Sequence, residues 1–249
     1  VKGALFMKKY FITFALIFLS IISLSAGEFE FIIGGGASTF GLRDLKDEYE
    51  SANHDFGPGV NLISHDTFDE NISGKSYLIE VYYGYSPNLR VGMGCSRLVM
   101  ENHAKYTFSS PVISGVFLKY NDEIKYDLFY LSAKYNVFKA LYAGLRLGWG
   151  TAIYHDYYDL YEYMTYVPSE FSRQEYDTNG FLLMSSVGLE KNMWRCFNLG
   201  IEAGYRHLDM KDIEHYYPNQ VDGDPEWKST TIDLDSSGFF LNMFVVIKM

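Results

Sequence analysis

Eight stretches of the chain alternate apolar residues with small or polar ones: Glu28 to Ala37, Ser76 to Tyr85, Leu89 to Arg97, Tyr126 to Tyr135, Ala140 to Ile153, Phe181 to Glu190, Cys196 to Arg206 and Gly238 to Met249. A period of two belongs to a β-strand whose two faces meet different surroundings, so eight strands are expected. The apolar register is the odd one, as in Phe29, Phe31, Ile33; Ile79, Val81, Tyr83; Leu141, Ala143, Leu145, Leu147, Trp149; and Phe239, Leu241, Met243, Val245, Ile247. Within the strands its charges are Arg97 and Asp127, both at strand ends.

The even register differs in kind. It carries Glu30, Glu80, Glu190 and Glu202 against Arg90, Lys134, Arg146 and Arg206, together with every strand glycine except Gly35. A soluble barrel turns its apolar face inward and its charges to water, so a charged, glycine-rich face opposite a greasy one implies the reverse: the odd face meets lipid and the even face fills the interior. Glycine weakens a strand, and its concentration on one face has a use here. An eight-stranded barrel is only wide enough for side chains to fill, and glycines leave room for the long Arg, Glu and Tyr side chains beside them. Four acids against four bases give a neutral interior, as a buried ionic core requires. The predicted fold is all-β: a closed antiparallel eight-stranded transmembrane barrel. Glu80, Arg146 and Glu202 are expected to converge near mid-height, and the first and last strands to pair.

The connections alternate in length. Short turns are expected at Ser86 to Asn88, Asn136 to Lys139 and Lys191 to Arg195, and long loops at Ser38 to Lys75, Leu98 to Lys125, Tyr154 to Gly180 and His207 to Ser237. Aromatic residues gather at two heights. Phe29, Tyr83, Tyr85, Tyr135, Phe138, Trp194 and Phe197 lie toward the short turns, and Tyr77, Trp149, Phe181, Tyr205 and Phe239 toward the long segments. Strand propensity explains their abundance, whereas two girdles at a lipid boundary explain their clustering.

The first 26 residues are not part of this pattern. Lys8 and Lys9 precede an apolar run from Tyr10 to Leu24 and then Ser25, Ala26 and Gly27, the layout of a secretory signal peptide. The expected organisation is therefore residues 1–26 as signal peptide and 27–249 as one barrel domain. Without Lys2, Lys8 and Lys9 the balance is 18 basic against 31 acidic residues, or −13, which makes nucleic acid a poor partner. Cys95 and Cys196 fall on different strands at different heights, so two separate thiols are expected.

On these features the chain resembles the small outer-membrane β-barrels of Gram-negative-type bacteria, the OmpA/OmpX-like eight-stranded group. The resemblance rests on the leader, eight amphipathic strands, three short turns and the final strand from Gly238 to Met249. It implies residence in the bacterial outer membrane, contact with membrane lipid and lipopolysaccharide, handling by the barrel-assembly machinery during biogenesis, and a monomer. Such final strands usually end on an aromatic residue, and this one ends on Met249.

Function in such a scaffold is expected in the long segments, three of which are acidic. The third reads Tyr154-His-Asp-Tyr-Tyr-Asp-Leu-Tyr-Glu-Tyr, and the first has helical spacing at Leu42, Leu45, Tyr49 and Ala52. The segment from Val112 to Tyr120 is read as extending the third and fourth strands above the membrane, or as adding a hairpin that would make ten strands. Asp222-Gly-Asp-Pro-Glu226 lacks the spacing of a calcium loop and reads as a turn. His54, His65, His103, His155, His207 and His215 all fall in expected loops, with His155 beside Asp156 and His207 near Asp209. No family motif joins them, so no catalytic residue, metal ligand or cofactor is assigned. A non-enzymatic barrel whose acidic, Tyr-rich loops make surface contacts or stabilise the envelope is expected. The alternatives are a lipid-modifying enzyme, which a Ser or Asp approaching a rim histidine would favour, and a narrow channel, which an open water path past Arg146 would favour.

Overall fold

The computed structural model describes residues 28–41, 61–65, 71–109, 114–162, 168–219 and 226–249. The expected leader, the helical spacing at 42–52, His54 and the turn at 222–226 (save Glu226) lie outside them. Among the described residues ten strands follow in order: β1 Phe29–Gly41, β2 Asn61–His65, β3 Asn71–Gly84, β4 Leu89–Ser109, β5 Ser114–Asn136, β6 Leu141–Glu162, β7 Pro168–Trp194, β8 Phe197–Asn219, β9 Glu226–Asp235 and β10 Gly238–Lys248. All pairings are antiparallel, in the order β10-β1-β3-β4-β5-β6-β7-β8, and β8 pairs back onto β10 to close the ring.

Closure uses eight strands. β9 and β10 hold one register against β8, with Asp209 opposite Asp235 and Arg206 opposite Gly238, and the Ser236 amide donates to the Leu208 carbonyl between them. They act as one barrel strand. β2 caps the outer edge of β4 only, His65 facing Tyr106. The row of partners Ile33, Ile79, Cys95, Phe129, Trp149, Phe181, Asp209 returns to the last strand at Asp235, ten residues from the Val245 that pairs Ile33 directly. That offset is the shear that tilts the strands so a small barrel closes. Closure leaves no sheet edge in the lipid-facing zone, where unpaired backbone groups would have no water to satisfy them.

The odd face points outward. Ile33, Ile79, Leu131, Leu145, Leu147, Val187, Leu199, Ile201, Leu241 and Val245 are exposed on the barrel wall. From Phe197 to Tyr205 the belt covers about 27 Å of strand, or about 20 Å of height at the usual tilt. Both cysteines are free thiols.

The structure departs from the expected pattern in three ways. The long segments are largely strand: β4 and β5 stay paired from Arg97 opposite Asp127 out to Ser109 opposite Ser114, about 40 Å further along the strand. β6–β7 and β8–β9 extend likewise, so His65, His103, His155, His207 and His215 stand on strands rather than loops. Alternation fails there as a boundary signal because outside the lipid no face has to be apolar, while backbone pairing continues. Second, β7 runs on to Trp194, with a register shift between Asn192 and Trp194, and the turn is Arg195–Cys196. Third, the interior is not uniformly polar. Ile32, Leu78, Leu98, Met100, Ile124, Leu128, Leu182, Met184, Leu208, Met210 and Val246 are even-numbered and buried.

Candidate functional site: a charged plug inside the barrel

Interior side chains arrive from every barrel strand because each presents its even residues inward. At mid-height Arg146 on β6 donates from Nε to Glu80 Oε1 on β3 at 2.7 Å, and from Nη2 to Glu202 Oε2 on β8 at 3.1 Å, with Nη1 2.8 Å from Glu202 Oε1. One guanidinium ties two carboxylates across the lumen. Tyr142 donates its hydroxyl to Glu202 Oε2 at 2.8 Å, and Ser186 lies 3.4 Å from Arg146 Nη1. Arg146, Glu80 and Glu202 are each no more than 2% exposed, so this is an ion triad held by geometry rather than by water.

Lys134 occupies a different kind of seat just below. Its Nζ lies 3.7 Å from Glu80 Oε2 and 4.0 Å from Glu190 Oε1, beyond hydrogen-bond reach of both. Three rings surround it instead: the centroids of Tyr82, Tyr142 and Phe244 stand 4.6, 4.7 and 4.8 Å from Nζ. Ring faces are negative, so the ammonium is held by two distant carboxylates and an aromatic cage.

Toward the short turns Arg90 Nη1 meets Glu30 Oε2 at 2.5 Å and Glu190 Oε2 at 2.9 Å, and Nη2 donates to Asn136 Oδ1 at 2.7 Å. Lys248 joins from the last strand, 3.2 Å from Glu30 Oε1. Lys248 and Asn136 were missed by the sequence reading, although both are even-numbered; each sits where a strand leaves the alternating run. This cluster floors a vestibule of about 540 Å³ that opens at the short-turn end, with Lys139 and Asn198 on its wall.

Above the triad the lumen turns apolar. Leu98, Met100, Ile124, Leu128, Leu182, Leu208, Met210 and Phe240 pack into one cluster with Tyr126 and Tyr130. Arg206, the fourth expected cation, lies apart from the other three. It donates to the Ser236 carbonyl from Nε and Nη2 at 3.2 and 3.1 Å and to Ser38 Oγ at 2.8 Å, while Ser236 Oγ donates to the Tyr126 hydroxyl at 2.6 Å. A cavity bounded by Arg146, Arg206, Tyr130 and Phe240 measures about 10 Å³, roughly the room of one water.

Aromatic residues lie toward both ends of the apolar belt. Tyr85, Tyr135, Trp194 and Phe197 are exposed at one end and Trp149 and Tyr205 at the other, while Tyr83 is half-buried against Phe29, ring centroids 5.5 Å apart. Trp149 meets Phe181 edge-on at 6.3 Å, and Tyr205 meets Phe239 at 5.3 Å. On the same outer wall, cross-strand neighbours His207 and Ser237 bring Nδ1 and Oγ to 3.0 Å, a pairing the sequence reading did not foresee. Among the described residues no group of three His, Cys, Asp or Glu side chains is placed to hold a metal ion.

Fold and interior together define a transmembrane β-barrel with a filled lumen. No protein-family model and no curated protein matches the sequence. Among solved structures the chain is similar to Ail, the attachment invasion locus protein of Yersinia pestis, solved in complex with the heparin analogue sucrose octasulfate, at 12% identity and TM-score 0.40, covering 90% of this chain and 100% of that one. It is also similar to the outer membrane protease OmpT from Escherichia coli, at 9% identity and TM-score 0.41 over 90% and 97% of the two chains. The outer membrane protein OprG from Pseudomonas aeruginosa matches at 13% identity and TM-score 0.39, over 88% and 95%.

Proposed function

We propose that this chain is a non-enzymatic integral protein of the bacterial outer membrane, its barrel a closed structural anchor and its long acidic, Tyr-rich hairpins the contact surface outside the cell. The observation that carries the reading is the Arg146 bridge to Glu80 and Glu202, which occupies the lumen at mid-height beneath an apolar packing layer. A filled lumen beneath long hairpins favours contact over transport. The short turns face the periplasm and the hairpins the exterior, the usual arrangement in such barrels. Residues 1–26 serve as the export signal, the assembly machinery reads the final strand, and the mature protein is a monomer. Carboxylates on the hairpins reach anionic groups of lipopolysaccharide through shared divalent cations, which take several oxygen ligands.

Two measurements test this. In planar bilayers the purified protein conducts ions poorly; a large steady conductance overturns the closed-lumen reading. Deleting the hairpin between Asp156 and Asp177 lowers calcium-dependent binding to lipopolysaccharide while the barrel still folds; unchanged binding removes that hairpin from the reading.

His207 and Ser237 favour a second reading, an esterase acting on lipid from the barrel wall. The Leu208 amide donates to Ser237 Oγ at 3.3 Å, which leaves the hydroxyl proton for His207 Nδ1 in the matching tautomer. Fatty acid released from outer-membrane lipid by the purified protein, and lost in both Ser237→Ala and His207→Ala, would establish it in place of the first.

A further inference from the structure

On the outer wall, the basic residues that border the upper edge of the apolar belt gather on one side. Just beyond the apolar belt, Lys75 on β3, Arg97 on β4 and Lys125 on β5 stand on the outward face of three consecutive strands. Lys75 and Lys125 both neighbour Val99, and one rung nearer the belt Arg97 lies between Tyr77 and Asp127. Strand spacing puts the two lysines about 10 Å apart with Arg97 about 7 Å below them, a triangle that long flexible side chains close onto one small group. At comparable positions around the rest of the rim the outward residues are Thr39, Thr151, Asn179, His207, Asp209 and Ser237, with no lysine or arginine.

The acids nearby leave this patch open. Asp127 takes Nε and Nη2 of Arg97, at 2.7 and 2.8 Å, and makes no hydrogen bond to Nη1. Glu123 pairs with Lys125 at 2.6 Å, and Glu101 faces Glu123 one rung further out. Among the described residues no carboxylate pairs with Lys75. A single-contact exposed ion pair such as Lys125–Glu123 holds weakly, so a doubly charged phosphate competes for Lys125, reaches Lys75 and takes the remaining Nη1 of Arg97. Directly below lie Ile79, Cys95 and Phe129, an apolar wall suited to acyl chains, with Tyr77 at the boundary between the two zones.

We propose that Lys75, Arg97 and Lys125 form a phosphate-binding patch that seats the phosphomonoester headgroup of an outer-leaflet lipid, whose acyl chains lie along β3 to β5. The inference rests on the membrane placement above. It assigns the barrel wall, not the hairpins, a lipid of defined chemistry.

The test uses the full mature chain refolded in octyl glucoside micelles, with phosphatidic acid as the probe and phosphatidylcholine as the comparison. Phosphatidic acid shifts backbone amide resonances at 75–77, 97–99 and 125–127, and raised salt weakens the effect. The combined variant Lys75→Gln, Arg97→Gln, Lys125→Gln needs at least about tenfold more probe for half-saturation, because each charge-assisted contact is lost. Lys75→Gln alone, which breaks no observed ion pair, gives a smaller loss in the same direction and serves if the combined variant does not fold. Equal binding by parent and variant, equal response to phosphatidylcholine, or shifts centred on Thr151 to Asp209 would each overturn the patch. Insertion into phosphatidylcholine liposomes is scored separately. A chain that inserts but shows no phosphate preference refutes the patch alone, whereas a chain that does not insert refutes the membrane placement itself.

Discussion

Arg146 and Glu80, 66 positions apart in the chain, meet at 2.7 Å in the middle of the barrel, and the far side of the same guanidinium is closed by Glu202. The pair is legible as chemistry only after the register is known. Even numbering puts each inside, and shear brings β3, β6 and β8 to a common height there.

Arg146→Met leaves Glu80 and Glu202 facing each other without their shared cation. Removing one partner of a buried pair costs about 3–5 kcal/mol. The variant is expected to unfold at a clearly lower denaturant concentration than the parent at neutral pH, by fluorescence or by gel mobility of the unheated protein. An unchanged midpoint would mean the triad does not hold the core together.

Gly188 tests the use of glycine on the inner face. A Cβ there would overlap the Tyr142 ring and hydroxyl, the group that donates to Glu202. Gly188→Ala therefore displaces Tyr142 and loosens the triad at one remove, with an expected cost of about 1–3 kcal/mol from overpacking. The matched control is Gly84→Ala, where the added carbon meets only the Glu28 carbonyl at 3.6 Å. Equal unfolding midpoints for the two variants would show that Gly188 makes no special room.

The outward face has its own test. Leu145 is 46% exposed at the middle of the belt, between Ala133 and Ser185 on the neighbouring strands. Leu145→Arg is expected to destabilise the protein in phospholipid by about 2–4 kcal/mol, the cost of a cation at the midplane. In aqueous detergent above its micelle concentration the penalty should shrink, because the head can reach water. A variant as stable as the parent in lipid would place Leu145 away from the membrane centre.

How far the residues themselves disclosed this arrangement can be followed position by position. Closure of β1 on β10 and the outward aspect of Leu145 and Ile201 follow from alternation alone, since a slip of one residue would bury the whole apolar face. Lys134 shows the limit. Parity places it inside, but its seat among Tyr82, Tyr142 and Phe244 depends on strands far away in sequence. The apolar upper lumen was illegible for a different reason: at Leu98, Met100, Ile124 and Leu128 the contrast inverts, with Arg97 and Lys125 outward and these apolar residues inward, so the rule read from the belt does not find them. His207 and Ser237 are 30 residues apart and become neighbours only through the β8–β9–β10 register.

Lys134 and Arg146 offer the sharpest comparison, because both are cations buried to within 2% and both face Glu80. Arg146 donates hydrogen bonds; Lys134 stands 3.7 Å from Glu80 and 4.0 Å from Glu190 and is held otherwise by ring faces. Removing Lys134 forfeits a diffuse attraction, with cation–π contacts worth about 0.5–2 kcal/mol, and leaves both carboxylates their arginines. Lys134→Met keeps the volume and the apolar contacts with the cage. It is therefore expected to lower the unfolding midpoint less than Arg146→Met does under the same conditions, and the double variant to lose less than the sum, since both cations share Glu80. A Lys134→Met protein at least as unstable as Arg146→Met would mean that the cage lysine, not the bridging arginine, sets the neutrality of the core.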